Sequence, residues 1–243
     1  MKRWMTWAIT SCILTSAMPL TVTAQEMTEE MTDTETMTSM EKSTTEEMET
    51  TQDMPTVTTS IHFKDYTPYG KFVNYQYQGD GTLFEMQDII MEYPPDAEGL
   101  FQVTSFAGDQ AIAHVYQIAE DGIYELAFFE NYNTVEDMRH SEDAGNASKS
   151  LIIPKDPKVG MTYKSGFNQE YKRTVVDILG QFNLGGVIFN NVLKIHEEDP
   201  INQRSLHYYY APNYGLILIE LNDNTVSRNI VQLISTQGDV IEN

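Results

Sequence analysis

From Ile61 onward the chain reads as short apolar runs separated by Gly, Asp, Asn and Pro, without the sustained 3.6-residue spacing of a helix. Residues 71–77 alternate cleanly: Val73, Tyr75 and Tyr77 share one face of an extended strand, and Asn74 and Gln76 take the other. Gly79-Asp80-Gly81 is a turn, because glycine accepts the positive φ of a tight hairpin, and residues 82–93 return as the partner strand up to Pro94-Pro95. Residues 100–107, 111–119 and 122–129 continue as a meander through turns at Gly108-Asp109 and Glu120-Asp121-Gly122. The polar stretch 131–150 predicts a long loop or a short helix over one end of the sheet. Beyond it, residues 161–163, 171–179 and 187–195 read as strands, the last two joined at Asn183-Leu184-Gly185-Gly186. A further hairpin links 206–210 to 216–221 across Pro212-Asn213-Tyr214-Gly215, and 225–234 is a tail strand. About ten strands in one domain's length predict an all-β fold over residues 61–243: a curved antiparallel sheet, open barrel or sandwich.

The N-terminal pattern differs. Lys2 and Arg3 precede an apolar stretch from Trp4 to Leu20, Pro19 breaks it, and Val22-Thr23-Ala24 offers small residues for cleavage. Residues 1–24 therefore read as a secretory signal peptide; the stretch is shorter than the ~20 residues a bilayer needs and is interrupted by Thr and Ser. Two minority readings keep the chain on the membrane, an uncleaved signal or lipidation at Cys12 after Ile9-Thr10-Ser11. Residues 25–60 repeat Thr, Glu and Met with no aromatic residue and too little apolar surface to offset the ~1–2 kcal/mol per residue lost on ordering. They read as a disordered acidic tether. Its thioethers, Met27, Met31, Met37, Met40, Met48 and Met54, are soft enough for Cu(I), but no His or Cys accompanies them and a spacer is the simpler reading.

Net charge narrows the partners. At −21 the chain repels nucleic acid and anionic lipid and attracts cations. Cys12 is the only cysteine, so the domain carries no disulfide, thiolate zinc site or cysteine nucleophile.

Four phrases in order carry a resemblance: Tyr66-Thr67-Pro68-Tyr69-Gly70 leading into Tyr75-Gln76-Tyr77-Gln78-Gly79-Asp80-Gly81; Lys158-Val159-Gly160-Met161-Thr162-Tyr163; Phe189-Asn190-Asn191-Val192-Leu193-Lys194-Ile195; and Tyr208-Tyr209-Tyr210-Ala211-Pro212-Asn213-Tyr214-Gly215-Leu216. They resemble an uncharacterised group of secreted proteins and lipoproteins from low-GC Gram-positive bacteria, with a C-terminal Y-Y-A-x-x-x-G-L hairpin. The resemblance implies an extracytoplasmic all-β domain and brings no catalytic residues. The first phrase here is one spacer residue shorter than the group's, and a lipobox that ends the apolar region is missing.

Candidate chemistry is sparse. No Gly-x-Ser-x-Gly elbow is present, and His114 reads as a packed or half-exposed strand residue. His196 and His207 flank a loop rich in Glu and Asp; if their strands pair, the imidazoles become cross-strand neighbours and a candidate metal site. Tyr75, Tyr77, Tyr208, Tyr209 and Tyr210 are candidate ligand contacts, since rings stack and hydroxyls hydrogen-bond. Three consecutive tyrosines must point to both faces of the sheet, so all three enter the core only if both faces are covered. The sequence thus predicts an extracytoplasmic, non-enzymatic module without a cofactor, secreted and binding a ligand or protein at the cell envelope. Two alternatives stay open: a structural surface protein without a small-molecule ligand, and a carboxylate-dependent hydrolase.

Overall fold

The computed structural model describes residues 61–145, 148–200, 204–222 and 227–240; the signal peptide and tether read over residues 1–60 lie outside them. Twelve strands follow in chain order: β1 (Phe72–Gly79), β2 (Gln87–Tyr93), β3 (Leu100–Ala107), β4 (Gln110–Ile118), β5 (Gly122–Glu130), β6 (Ser150–Pro154), β7 (Thr162–Ser165), β8 (Tyr171–Leu184), β9 (Val187–Asp199), β10 (Arg204–Ala211), β11 (Gly215–Asn222) and β12 (Ser227–Asp239). They form one antiparallel sheet, ordered β6-β5-β4-β3-β2-β1-β12-β11-β10-β9-β8-β7, that curls into a nearly closed barrel. Every ladder joins sequence neighbours except β1·β12, which runs from Phe72↔Asp239 to Gly79↔Val231. The tail strand is thus longer than its sequence suggests, because it ties the first strand into the sheet. The two sheet edges fall on β6 and β7, which meet at a seam.

Antiparallel alternation puts the start of every odd strand at one end of the barrel. Residues 61–71 stopper that end. A 3₁₀ turn, Phe63–Tyr66, is capped by His62, whose ring accepts from the Lys64 amide while Asp65 accepts from the His62 amide. It packs on β5 and β6 from one wall and β10 and β11 from the other, with Phe63 and Tyr66 buried. The Asn213 amide donates to the Asp65 carbonyl (2.7 Å), and Tyr66 Oη donates to the Asn191 carbonyl (2.8 Å). Gly215 (φ +68°) is required here: a Cβ would stand 2.5 Å from the Thr67 carbonyl oxygen and 2.8 Å from Pro68 Cα.

Two departures from the sequence reading have local causes. Residues 82–86 are not strand, because the Asp80 carboxylate accepts the amides of Thr82, Leu83 and Phe84 and holds them in a turn. Among its described residues the segment after β5 contains no α-helix and lies over the outer face of β3–β5 instead of one end of the sheet. Met138 and Ala144 pack there on Leu100, Val115, Tyr124 and Leu126. Buried Gln102 fixes it, its amide donating to Glu92 Oε2 (2.9 Å) and the Glu136 carbonyl (2.9 Å) and accepting from the Met138 amide (2.8 Å).

The β8–β9 hairpin outgrows the barrel. β7 pairs with β8 only over Tyr171–Thr174, and β10 pairs with β9 only over Leu193–Asp199. The remaining ribbon crosses the outer face of β10–β12: the Phe182 ring stacks on Tyr209 (centroids 5.0 Å), Phe189 meets Tyr214 edge-on (5.1 Å), and Gly185 lies beside Gln232. β10 and β11 are consequently buried on both faces, as three buried consecutive tyrosines demand.

Candidate functional site

The candidate tyrosines all lie in the core, at 0–7% exposure. Tyr75 Oη accepts the amides of Lys71 and Phe72 (both 2.9 Å), and Tyr77 Oη donates to the Leu216 carbonyl (2.7 Å). Tyr69, from the stopper, meets the rings of Tyr75, Tyr77 and Tyr116 inside the barrel. Tyr208 and Tyr210 stack on the same inner face, whereas Tyr209 points outward beneath the ribbon and donates to Glu220 Oε2 (2.8 Å). Burial pushes the hydroxyls of Tyr75 and Tyr210 up to about 12 and those of Tyr77, Tyr116 and Tyr208 well above the usual range, so all stay neutral. Tyr75, Tyr77, Tyr208 and Tyr210 reach a ligand only from within the barrel, and Tyr209 is covered by the ribbon, so none of the five lies on an exposed sheet face.

His196 and His207 are register partners across β9·β10, their ring centroids 5.0 Å apart. His196 Nε2 is turned to Ser205 Oγ (2.7 Å), while His207 Nδ1 faces Asn222 and, at 3.6 Å, Glu220. Burial, then the nearby Lys194 and His196, bring His207 down to about 4. His196 Nε2 and His207 Nδ1 turn to different partners, and among the described residues no group of three or more His, Cys, Asp or Glu is arranged to hold a metal. The Ser205–His196 pair has the spacing of a nucleophile and its base, but no carboxylate hydrogen-bonds His196 among the described residues.

A different pair, His114 and Glu125, faces the barrel interior. β4 directs Ala113 and Val115 outward and His114 and Tyr116 inward, where Tyr116 stacks on Phe101 (5.2 Å). The β4·β5 register sets Glu125 opposite Tyr116, on the same inner face. His114 Nδ1 and Glu125 Oε1 are 2.7 Å apart, with side chains 24% and 18% exposed. An ionised carboxylate only accepts, and a neutral imidazole facing it carries its proton on Nδ1. Glu125 Oε2 and the His114 Nε2 lone pair are then two acceptors without a protein partner among the described residues. Around them stand Tyr116, Phe128 (6.4 Å from the His114 ring) and Phe167 (5.8 Å from Phe128), the last on the β7–β8 loop at the end opposite the stopper. Burial raises the hydroxyls of Tyr69 and Tyr210, and the charge of Glu125 adds a smaller push in the same direction.

The seam beside this pair is closed by side chains. Ser150 Oγ and Ser165 Oγ are 3.2 Å apart, the Gly166 amide donates to Ser150 Oγ (2.9 Å), and Tyr163 Oη donates to the Ile152 carbonyl (2.8 Å). Arg173 on β8 bonds Glu197 on β9 (Nε–Oε2 2.6 Å), lies over the Tyr208 ring (4.7 Å) and reaches past β7 to the Ile152 carbonyl (3.4 Å). Tyr208 Oη completes the Glu197 shell at 3.0 Å. The Tyr171 hydroxyl, on the same inner face, is buried without a hydrogen-bond partner among the described residues. At the stoppered end, a shallow depression lies between Lys64, Asp96, Glu98, Gln117, Ile118 and Glu120, remote from these groups.

No helix among the described residues is long and apolar enough to cross a membrane. No protein-family model matches the chain, and comparison with curated proteins and with solved structures finds no match either.

Proposed function

We propose that the domain is a non-catalytic binding module, working outside the cytoplasm at the cell envelope, whose ligand is an organic cation with an apolar or aromatic body. The ligand enters at the end opposite the stopper and sets its charge against Glu125. One observation carries this reading: a partly solvent-reached His–Glu pair that offers only acceptors to the barrel interior, among Tyr116, Phe128 and Phe167. A carboxylate beside ring faces is the combination that selects ammonium groups over neutral analogues. The net charge of −21 favours their encounter with the domain. An acceptor-only site also disfavours anions, whose oxygens would meet Glu125 unpaired.

The test is calorimetric titration with phenethylammonium and with its neutral counterpart 2-phenylethanol. The cation is expected to bind at least tenfold more tightly. In Glu125→Gln it loses about 10–100-fold, the value of a hydrogen bond to a charged group, while Glu98→Gln at the stoppered end changes nothing. Equal affinity for the two probes, or an unaffected Glu125→Gln, would sink the assignment. The surface-interaction reading draws its support from a separate feature, the outer ribbon.

A further inference from the structure

The β8–β9 ribbon, beyond its bonds to the barrel, has an open edge. The far side of β8 is occupied only as far as Val175, by β7 over Tyr171–Thr174 and by Gly160 and Met161, which exchange backbone bonds with Val175 (2.8 and 2.9 Å). From residue 176 to Leu184 that side pairs with no strand among the described residues. The Asp177 carboxylate takes the Ile178 amide (2.8 Å), and after it the edge is bare. Ile178, Gly180, Gln181 and Asn183 are exposed along it, with Val187 and Ile188 at 53% and 58% exposure beside the tip.

Sheet edges are normally protected by lysines, prolines, bulges or a covering element. None of these protects residues 179–184. The run Ile178-Leu179-Gly180-Gln181-Phe182-Asn183-Leu184-Gly185-Gly186-Val187-Ile188-Phe189-Asn190-Asn191-Val192-Leu193 contains no charged residue, in a chain where 21% of residues are charged. The protection is missing where a strand of the domain lies on the surface.

We infer that this edge is a self-association surface: the β8 edges of two copies pair antiparallel across a two-fold axis near Gly180–Gln181. The charge distribution selects the occupant. A cationic partner would find no carboxylate beyond Asp177 to pair with, and an anionic one no lysine short of Lys194. A second copy carries the same −21 charge and is repelled over most of its surface; an uncharged edge is where two copies approach without placing like charges together. An antiparallel edge is complementary to itself, and a two-fold pairing of the β8 edges uses the same residues from both copies.

Sedimentation equilibrium on the full chain tests this, read with hydrogen exchange of residues 176–184. A monomer–dimer equilibrium is expected that tightens as salt rises, since salt screens the repulsion, together with slowed exchange in this segment at high protein concentration. Gln181→Asp brings two carboxylates together at the axis and weakens the dimer about fivefold or more. Gln237→Asp, which adds the same charge at an exposed position on β12, leaves it unchanged. A chain that stays monomeric at high concentration and high salt overturns the inference. So does a dimer indifferent to Gln181→Asp whose segment 176–184 exchanges at the monomer's rate.

Discussion

Arg173→Met is the most informative perturbation of the barrel. The guanidinium and the Glu197 carboxylate are 8% and 5% exposed and 2.6 Å apart, so their gross attraction is on the order of 6 kcal/mol at an effective dielectric of ~20. Desolvation offsets much of that, and the measurable quantity is the cost of breaking the pair. Methionine fills similar volume but leaves Glu197 buried with Tyr208 Oη as its remaining partner, and it removes the link to the Ile152 carbonyl across the seam. A loss of ~3–5 kcal/mol follows, which at ~2–4 °C per kcal/mol for a domain of this size lowers Tm by ~6–20 °C. The double variant Arg173→Met, Glu197→Leu removes the stranded charge and is expected to recover most of the loss, because an apolar replacement of a whole buried pair is often neutral. Recovery leaves the seam without its Arg173 bond, so backbone exchange in β6 and β7 stays faster than in the parent even where Tm returns. Urea titration of the parent, both single variants and the double gives the coupling directly. A cost below 1 kcal/mol for Arg173→Met, or a double variant as unstable as the single, would refute the account.

Two other perturbations test the stopper and the outer histidines. Gly215→Ala combines a φ of +68° with a Cβ 2.5 Å from the Thr67 carbonyl oxygen, so it is expected to cost ~2–3 kcal/mol and to speed exchange in residues 61–71; an unchanged urea midpoint would show that the stopper does not rest on this turn. His207 is held at about 4 in the fold against about 6.5 when unfolded, so the unfolded chain binds the extra proton between those values. Its contribution is complete above about pH 6.5 and is lost as pH falls toward 4; His207→Gln should flatten the acid slope of the urea midpoint across that window, and an unchanged slope would rule it out.

What the sequence made legible was local. The His196–His207 pairing follows from the hairpin between them, and most strands follow from alternation and turn residues. Glu125 was also within reach: a tight turn before Gly122 pairs Ile118 with Ile123, hence Tyr116 with Glu125, and leaves the carboxylate diagonal to His114 on one face. Arg173 gave a similar signal, a charge on the same face of β8 as Tyr171 and Val175. The rest depends on contacts distant in sequence. Nothing near Phe72 announces that Asp239 is its ladder partner, and alternation along β8 does not say that the strand runs on to Leu184 or that its ribbon covers β10 and β11. The turn after β1 looked like strand because the effect of Asp80 on three following amides does not show in an apolar pattern.

The two inward polar pairs ask for different explanations. Arg173 reaches from its ladder place on β8 across the unladdered β6–β7 seam to Ile152, which gives the Arg173–Glu197 pair a structural task that an apolar pair of equal volume would not perform. His114–Glu125 has no such task. β4 and β5 are joined by a ladder from Ile112↔Glu130 to Ile118↔Ile123, so the wall holds without a side-chain bond. Removing two polar groups from an aromatic surface and replacing them with apolar ones would bury more area at no cost in register. A polar pair that the wall does not need, partly reached by solvent and beside aromatic side chains, is what the proposed cation site requires.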